Sequence, residues 1–259
     1  MEKITSVGNE KIKYAFRLAS DSAFASGNGE FLAEGARLCS DIAQSGIAVK
    51  RAFITSKAAE KYSVYISEIE KVCGEIYEIG DNVARKLGGT DNPQGIFCVC
   101  SIPSRDESAI DFGGVYLALE NVRDPANIGA ICRSAEALGI DGIITSGSCF
   151  IYSPKVLRSA MGSSVRIPVI ETRDLCALLA KARSEGALTL ASVPRADACD
   201  IRAVEKRGGI ICCLGNEGNG LTAETVNACE KTVTIPMSGR AESFNVAAAA
   251  AILAWELKR

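Results

Sequence analysis

Two rhythms of apolar residues alternate along the 259-residue chain: short unbroken runs bounded by glycine, asparagine or charge, and longer stretches in which apolar positions recur every three or four residues. The first marks a buried strand and the second a helix with one covered face. Up to about residue 100 the pattern predicts helices through Lys11–Ser20, Arg37–Gln44, Ala58–Val72 and Asn82–Leu87, and strands at Phe31–Ala33, Val49–Ile54, Ile76–Ile79 and Ile96–Ser101. Residues 103–114 are polar, charged and end in two glycines, so they read as a linker between a domain of residues 1–102 and one of residues 115–259. Beyond it, strands at Val115–Leu119, Gly142–Thr145, Ile167–Ile170, Ala187–Ala191, Gly209–Leu214 and Thr232–Ile235 alternate with helical stretches. Continuous apolar strands separated by helices predict an α/β fold whose second domain has a mostly parallel sheet with helices on both faces. The N-terminal domain reads as a smaller α/β unit.

Composition narrows what such a chain can do. At 47% hydrophobic and 23% charged it can bury a large core. No run of 18 apolar residues occurs and the start, Met-Glu-Lys-Ile-Thr-Ser, lacks the apolar core of a secretory signal, so the expectation is a folded, cytoplasmic protein without a membrane partner. The eleven cysteines sit in apolar runs such as Ile210–Leu214 and read as small hydrophobes rather than a disulfide framework. No Cys-x-x-Cys pair and no histidine is present, which argues against a protein-built metal site and excludes any mechanism that needs an imidazole base. With a formal net charge of −2, nucleic-acid binding would rest on local basic clusters, for which Lys3, Lys11, Lys13 and Arg17, and Lys155, Arg158 and Arg166, are candidates.

The candidate chemistry lies where strands run into helices. Asn121–Gly139 opens with Asp124-Pro125, a capping carboxylate and a residue suited to the first helical position, and closes on Gly139. At about 100° per residue Ile128, Ile131, Cys132, Ala135 and Leu138 share one side of that helix and Arg133 points away from them. A glycine-rich loop, Gly215-Asn-Glu-Gly-Asn-Gly220, follows the apolar strand Gly209–Leu214 and holds Glu217, placed to accept from a ligand or to orient a cation such as Arg133. Its spacing is neither the dinucleotide fingerprint nor a phosphate loop, which weighs against a nicotinamide-dependent oxidoreductase. A third segment, Ile235–Ala247, again leads from strand end to helix, with Ser243 or Asn245 as the cap. Three such loops would meet at the carboxyl edge of one sheet, where open α/β folds bind ligands. The last helix, Asn245–Leu257, carries the single tryptophan, Trp255, expected in a core or a subunit contact.

These three ordered motifs resemble the SpoU-type (TrmH-like) RNA ribose methyltransferases of the SPOUT superfamily. The first contains Asn127 and Arg133, the second spans Leu214–Leu221 with Glu217, and the third reads Ile-Pro-Met-x-Gly-x-x-x-Ser-Phe-Asn-Val from Ile235. Phe31–Arg37 and Asp91–Ile96 are similar to the family's ribosomal-protein-like RNA-binding domain. The resemblance implies a homodimeric enzyme with a C-terminal trefoil knot that transfers a methyl group from S-adenosylmethionine to a ribose 2′-hydroxyl of structured RNA, ribosomal RNA before transfer RNA. It implies a cofactor held by Leu214, Gly215, Ile235, Met237 and Phe244, the last standing where the family usually has leucine. It also makes Arg133 the catalytic residue, supported by Asn127, Glu217, Ser243 and Asn245. Methyl transfer needs an aligned oxygen nucleophile relieved of its proton, and no metal. Guanidinium stays protonated, so the proton would leave to phosphate, water or Glu217 while Arg133 binds phosphate and stabilises the developing alkoxide. The reading from a different class is an inactive RNA-binding assembly factor of the same fold.

Overall fold

A computed structural model describes residues 2–89, 92–103 and 105–259. Asp91, in one of the segments that carry the resemblance, and Ser104, in the expected linker, lie outside the described residues. The chain divides into two compact units, Met1–Ser104 with Phe150–Val165, and Arg105–Cys149 with Arg166–Arg259.

The first unit begins β1 (Glu2–Ile4), α1 (Glu10–Ser20), α2 (Ser22–Asn28), β2 (Glu30–Glu34), α3 (Ala36–Gln44) and β3 (Val49–Thr55). It continues with α4 (Ser56–Lys61), α5 (Ser63–Glu70), β4 (Ile76–Ile79), α6 (Asp81–Leu87) and β5 (Ile96–Ser101). The strands form one mixed sheet in the order β1-β4-β3-β5-β2, in which β1, β4 and β3 run parallel and β5 is antiparallel to both β3 and β2. Ile12, Leu32, Phe53, Phe97 and Val99 build the core on one face, with Phe150 packed against it. The expected long helix over Ala58–Val72 is two helices. Thr55 caps α4 by accepting from Ala58 N at 3.2 Å, and Tyr62 leaves helical geometry at φ −119°, so a new helix starts behind it. α2 escapes the periodicity reading because its sequence, Ser-Ala-Phe-Ala-Ser-Gly-Asn, carries almost no apolar stripe. Its ends set it instead: Asp21 accepts from Phe24 N at 2.9 Å, and Gly29 turns left-handed at φ +63°.

The rest of the chain contributes β6 (Val115–Glu120), α7 (Pro125–Ala137), β7 (Gly142–Ser146), α8 (Pro154–Ala160), α9 (Ser163–Arg166), β8 (Val169–Glu171) and α10 (Leu175–Ser184). There follow β9 (Leu188–Ser192), β10 (Cys199–Asp200), β11 (Ile210–Leu214), α11 (Ala223–Ala228), β12 (Lys231–Thr234) and α12 (Val246–Lys258). All seven strands pair in parallel in the order β10-β12-β9-β11-β6-β7-β8, so every strand ends at the same edge of the sheet. The chain lays β7 and β8 on one side of β6 and then returns to place β9, β11 and β12 on the other. The order therefore reverses between β6 and β11, the position at which parallel sheets open a crevice at their carboxyl ends. The six strands expected from the apolar runs are all present, and β10 is too short to leave a pattern. Eight of the eleven cysteines are buried and all are free, whereas Cys199 is exposed. Trp255 is 61% exposed, which removes the core alternative for it within its own chain.

Candidate active site

The strand β6 is apolar until its last residue, Glu120, which stays buried at 7% exposure. A buried carboxylate needs donors. Glu120 takes them from Thr222 N at 2.8 Å, Thr222 Oγ1 at 2.9 Å and Thr225 Oγ1 at 2.6 Å, and so ties the end of β6 to the start of α11. Asn121 follows in the left-handed region at φ +55°, turning the chain out of the sheet. Asp124 then accepts from Ala126 N at 2.9 Å and caps α7, a contact worth about 1 kcal/mol. Ile128, Ile131, Cys132 and Ala135 are fully buried and fix the helix's rotation, while Gly139 at φ +69° ends it. Arg133 is thereby left exposed, with no hydrogen bond or ion pair among the described residues.

The glycine loop after β11 closes on itself. Asn216 N donates to Gly220 O at 3.2 Å and Gly220 N to Asn216 O at 2.9 Å. A Cβ on Gly215 would fall 2.1 Å from the Gly220 carbonyl carbon, so only glycine permits this closure. The Asn216 side chain staples the turn internally, accepting from Gly218 N at 2.8 Å and Asn219 N at 3.2 Å, and donates to the Asn121 carbonyl at 3.0 Å. Between these two loops lies a cleft of about 430 Å³ lined by Asn121, Arg123, Asn216, Asn219, Leu221 and Thr222. Glu120, Asn216, Thr222 and Thr225 were not anticipated as site residues. The available signal was an acid closing an apolar strand and a Thr-x-x-Thr step behind the glycine loop.

The third loop joins the other two through a directional relay. Asn245 accepts from Ala247 N at 2.9 Å and Ala248 N at 3.3 Å and so caps α12. With its oxygen occupied, its amide nitrogen donates to Asn127 Oδ1 at 3.0 Å, and Asn127 Nδ2 donates to Glu217 Oε1 at 2.6 Å. A carboxylate only accepts, so the orientation of both amides follows from the two ends of the chain, Glu217 at one and a helix N-terminus at the other. Three of the expected catalytic residues, Asn127, Glu217 and Asn245, are thus brought into contact. The expected pairing of Glu217 with Arg133 does not occur, because Asn127, two residues inside the helix start, reaches the carboxylate first. Ser243 is exposed and carries no hydrogen bond among the described residues.

The expected cofactor residues share the same carboxyl edge. Leu214 is buried, Gly215, Ile235 and Met237 are half-buried and Phe244 is 42% exposed. From residue 236 to 244 no backbone or side-chain group is hydrogen-bonded among the described residues, so N–H and C=O groups there are free beside apolar side chains. Free backbone donors and acceptors next to Ile235, Met237 and Phe244 suit a flat, hydrogen-bonding adenosine. Burial, then the charge of Asp124, push the Cys149 thiol above its ordinary range.

Residues 114–255 match the model of the SpoU rRNA Methylase family, and residues 9–98 match that of the MRM3-like substrate binding domain. The chain belongs to the SpoU rRNA methylase family. It is 29% identical, over the whole of both chains, to the 23S rRNA (guanosine(2553)-2′-O)-methyltransferase RlmP of Bacillus subtilis. It is 31% identical to an uncharacterized tRNA/rRNA methyltransferase of Synechocystis sp., covering 89% of this chain and 84% of that one. Among solved structures, an AdoMet-bound rRNA methyltransferase from Sinorhizobium meliloti superposes with a TM-score of 0.87 at 28% identity, over 99% of this chain and 97% of that one. The SpoU methyltransferase AviRb of Streptomyces viridochromogenes, in complex with AdoMet, gives 0.86 at 25% identity, over 96% and 97%.

Proposed function

We propose that this SpoU-family protein transfers a methyl group from S-adenosylmethionine to a ribose 2′-hydroxyl of ribosomal RNA. The observation that carries the reading is the Asn245–Asn127–Glu217 relay, which locks three carboxyl-end loops of one parallel sheet into a single arrangement. S-adenosylmethionine supplies an electrophilic methyl group on a sulfonium. Leu214, Gly215, Ile235, Met237 and Phe244 would hold it, through backbone groups and apolar contact. Asn127 and Asn245 keep the loops in register, and Glu217 adds a negative charge beside the cation. Arg133, without a partner among the described residues, binds the phosphate next to the target ribose and stabilises charge developing on the 2′-oxygen. The proton passes to phosphate, water or Glu217, and Ser243 lies on the same loop as a further hydrogen-bonding group. Residues 1–102 serve as the RNA substrate-binding domain, 103–114 as the linker and 115–259 as the methyltransferase domain. The second domain is knotted as a trefoil, the enzyme works as a homodimer, and its place is the cytoplasm, where its substrate is; no helix among the described residues is long and apolar enough to cross a membrane.

Two measurements test this. Calorimetry should show S-adenosylmethionine binding, and tritium from labelled donor should appear in 23S rRNA isolated from cells that lack the enzyme. Arg133→Lys should lower turnover by roughly a hundredfold or more while leaving donor affinity within a factor of about two, because lysine keeps the charge and loses the planar fork. Turnover close to that of the unaltered enzyme would remove the arginine from the mechanism.

A further inference from the structure

The first unit contains a cavity of about 630 Å³ that the proposed chemistry does not use. Three stretches line it: Glu34 at the end of β2 with Arg37, Leu38 and Asp41 of α3, Asn92 and Gln94 ahead of β5, and Leu157 and Arg158 of α8 with Met161 just past its end. Its size lies within the roughly 300–1,000 Å³ common to small-ligand sites. The polar groups are only partly used. Gln94 Oε1 accepts from Ala36 N at 2.8 Å, which fixes the side chain and leaves its amide nitrogen as a donor. Asn92 has no hydrogen bond among the described residues, and Arg37 meets Asp41 only at 4.0 Å with its side chain largely in solvent. Arg158 stands 3.6 Å from Glu34, whose other contact is Gly89 N at 3.2 Å. Leu38, Leu157 and the 59% exposed Met161 supply an apolar surface, and Met161 is held at φ +49°, in the left-handed region that favours glycine. Apolar walls and two side-chain amides match a flat heterocycle with a hydrogen-bonding edge; the two guanidinium groups stand beside the carboxylates of Glu34 and Asp41, and Arg37, the more loosely held and largely in solvent, can turn to an attached phosphate.

We infer that this cavity receives one unstacked nucleotide of the RNA substrate, its base between Leu38, Leu157 and Met161, its edge facing Asn92 and Gln94, and its phosphate on Arg37. The inference rests on the methyltransferase reading and names how the RNA is gripped away from the reacting ribose. The matched substrate binding domain, residues 9–98, supplies Arg37, Leu38, Asn92 and Gln94, which favours a nucleotide of the RNA over a free metabolite. The cavity also draws residues from both family-matched regions, 9–98 and 114–255, so a nucleotide seated there engages both.

The test is filter binding of the full-length protein to 23S rRNA isolated from cells lacking the enzyme, over a range of salt concentrations. Arg37→Ala should weaken binding about tenfold and reduce the slope of log affinity against log salt by about one, the mark of a lost phosphate contact. Leu38→Trp, which fills the cavity, should weaken it at least about tenfold with the slope unchanged. Asn92→Ala, on the surface, covers the case in which the tryptophan variant does not fold, and should cost about threefold to tenfold. S-adenosylmethionine affinity should stay within a factor of two throughout. RNA affinities within twofold of the unaltered protein would overturn the inference, as would a parallel loss of donor affinity. Saturable binding of free nucleoside monophosphates, sensitive to Leu38→Trp while rRNA affinity is not, would assign the cavity to a small effector and overturn it too. An unaltered protein that methylates no rRNA would instead sink the proposed function, a separate outcome.

Discussion

Asn127 is placed so that a single atom decides what it does. Its nitrogen donates to Glu217 and its oxygen accepts from Asn245, so replacing the amide by a carboxylate reverses one contact and keeps the other. Asn127→Asp would set two carboxylates at a distance where the amide now stands 2.6 Å from Glu217. One of the pair must take up a proton or the loops must part. The expected outcome is a loss of donor affinity of roughly tenfold or more at neutral pH that recovers in part as pH falls toward 5, where the shared proton restores the contact. Calorimetric titrations across that range check it, and a pH-independent loss would show that Asn127 matters for shape alone. Glu217 and Asn245 were legible in the sequence because one sits in a glycine-rich loop at a strand end and the other is a natural helix cap, whereas Asn127, inside α7, was reached through the family resemblance. Their mutual contacts were not legible, since Asn127 and Glu217 are ninety positions apart and nothing local distinguishes Asn127 from Arg133 as the carboxylate's partner.

Strands and helices carry the next layer of the design. Glu120 makes the end of β6 and the start of α11 one piece, and two of its three donors are hydroxyls that can rotate, whereas Thr222 N cannot. Glu120→Gln keeps the shape but must turn an NH2 group toward at least one donor. A stability loss of about 1–3 kcal/mol is expected in urea, with a several-fold weaker donor affinity because the glycine loop loses its anchor. Full retention of both would show that the three contacts carry no weight. The buried thiols add a pH dependence. Burial pushes Cys132 on α7 up to about 12 from an ordinary value of 9.0, and raises Cys212 on β11 well above that ordinary value. A raised pKa in the folded state means the unfolded chain sheds these protons first. Their contribution is complete below about pH 9 and is lost as pH climbs from there toward about 12. Urea midpoints should therefore fall between about pH 8 and about pH 10 with an unchanged slope. Element type was readable for most of the parallel sheet because strands such as β6 and β11 are near-continuous apolar runs. The split of one long helix into α4 and α5 was not, because it depends on a single tyrosine leaving helical geometry.

At the scale of the whole molecule, sequence reading reached the α/β class and the edge on which the chemistry sits, but not the strand order. Nor did any local pattern reveal that Phe150–Val165, far along the chain, packs with the first unit, where Tyr152 lies 4.9 Å from Phe31 ring to ring. Such placements are set by tertiary contacts that leave no periodic trace. The proposed homodimer belongs to this level too, and α12 says where it should form. Ala250, Leu253, Ala254 and Leu257 face the core, while Ile252 and Trp255, three positions apart, share the outward face at 37% and 61% exposure. A tryptophan has a large apolar area, and in a two-fold interface each such residue is buried twice, once per protomer. Because Trp255 is the single tryptophan, its emission reports on this face alone. Light scattering should give twice the 27.3 kDa chain mass, and dilution should red-shift the emission as protomers separate. Trp255→Ala should shift the equilibrium toward monomer by roughly tenfold or more, and Ile252→Ala should do so while keeping the fluorophore. A protein that scatters as a monomer at every concentration, with tryptophan emission already at its solvent-exposed position, would place the dimer contact elsewhere or exclude it.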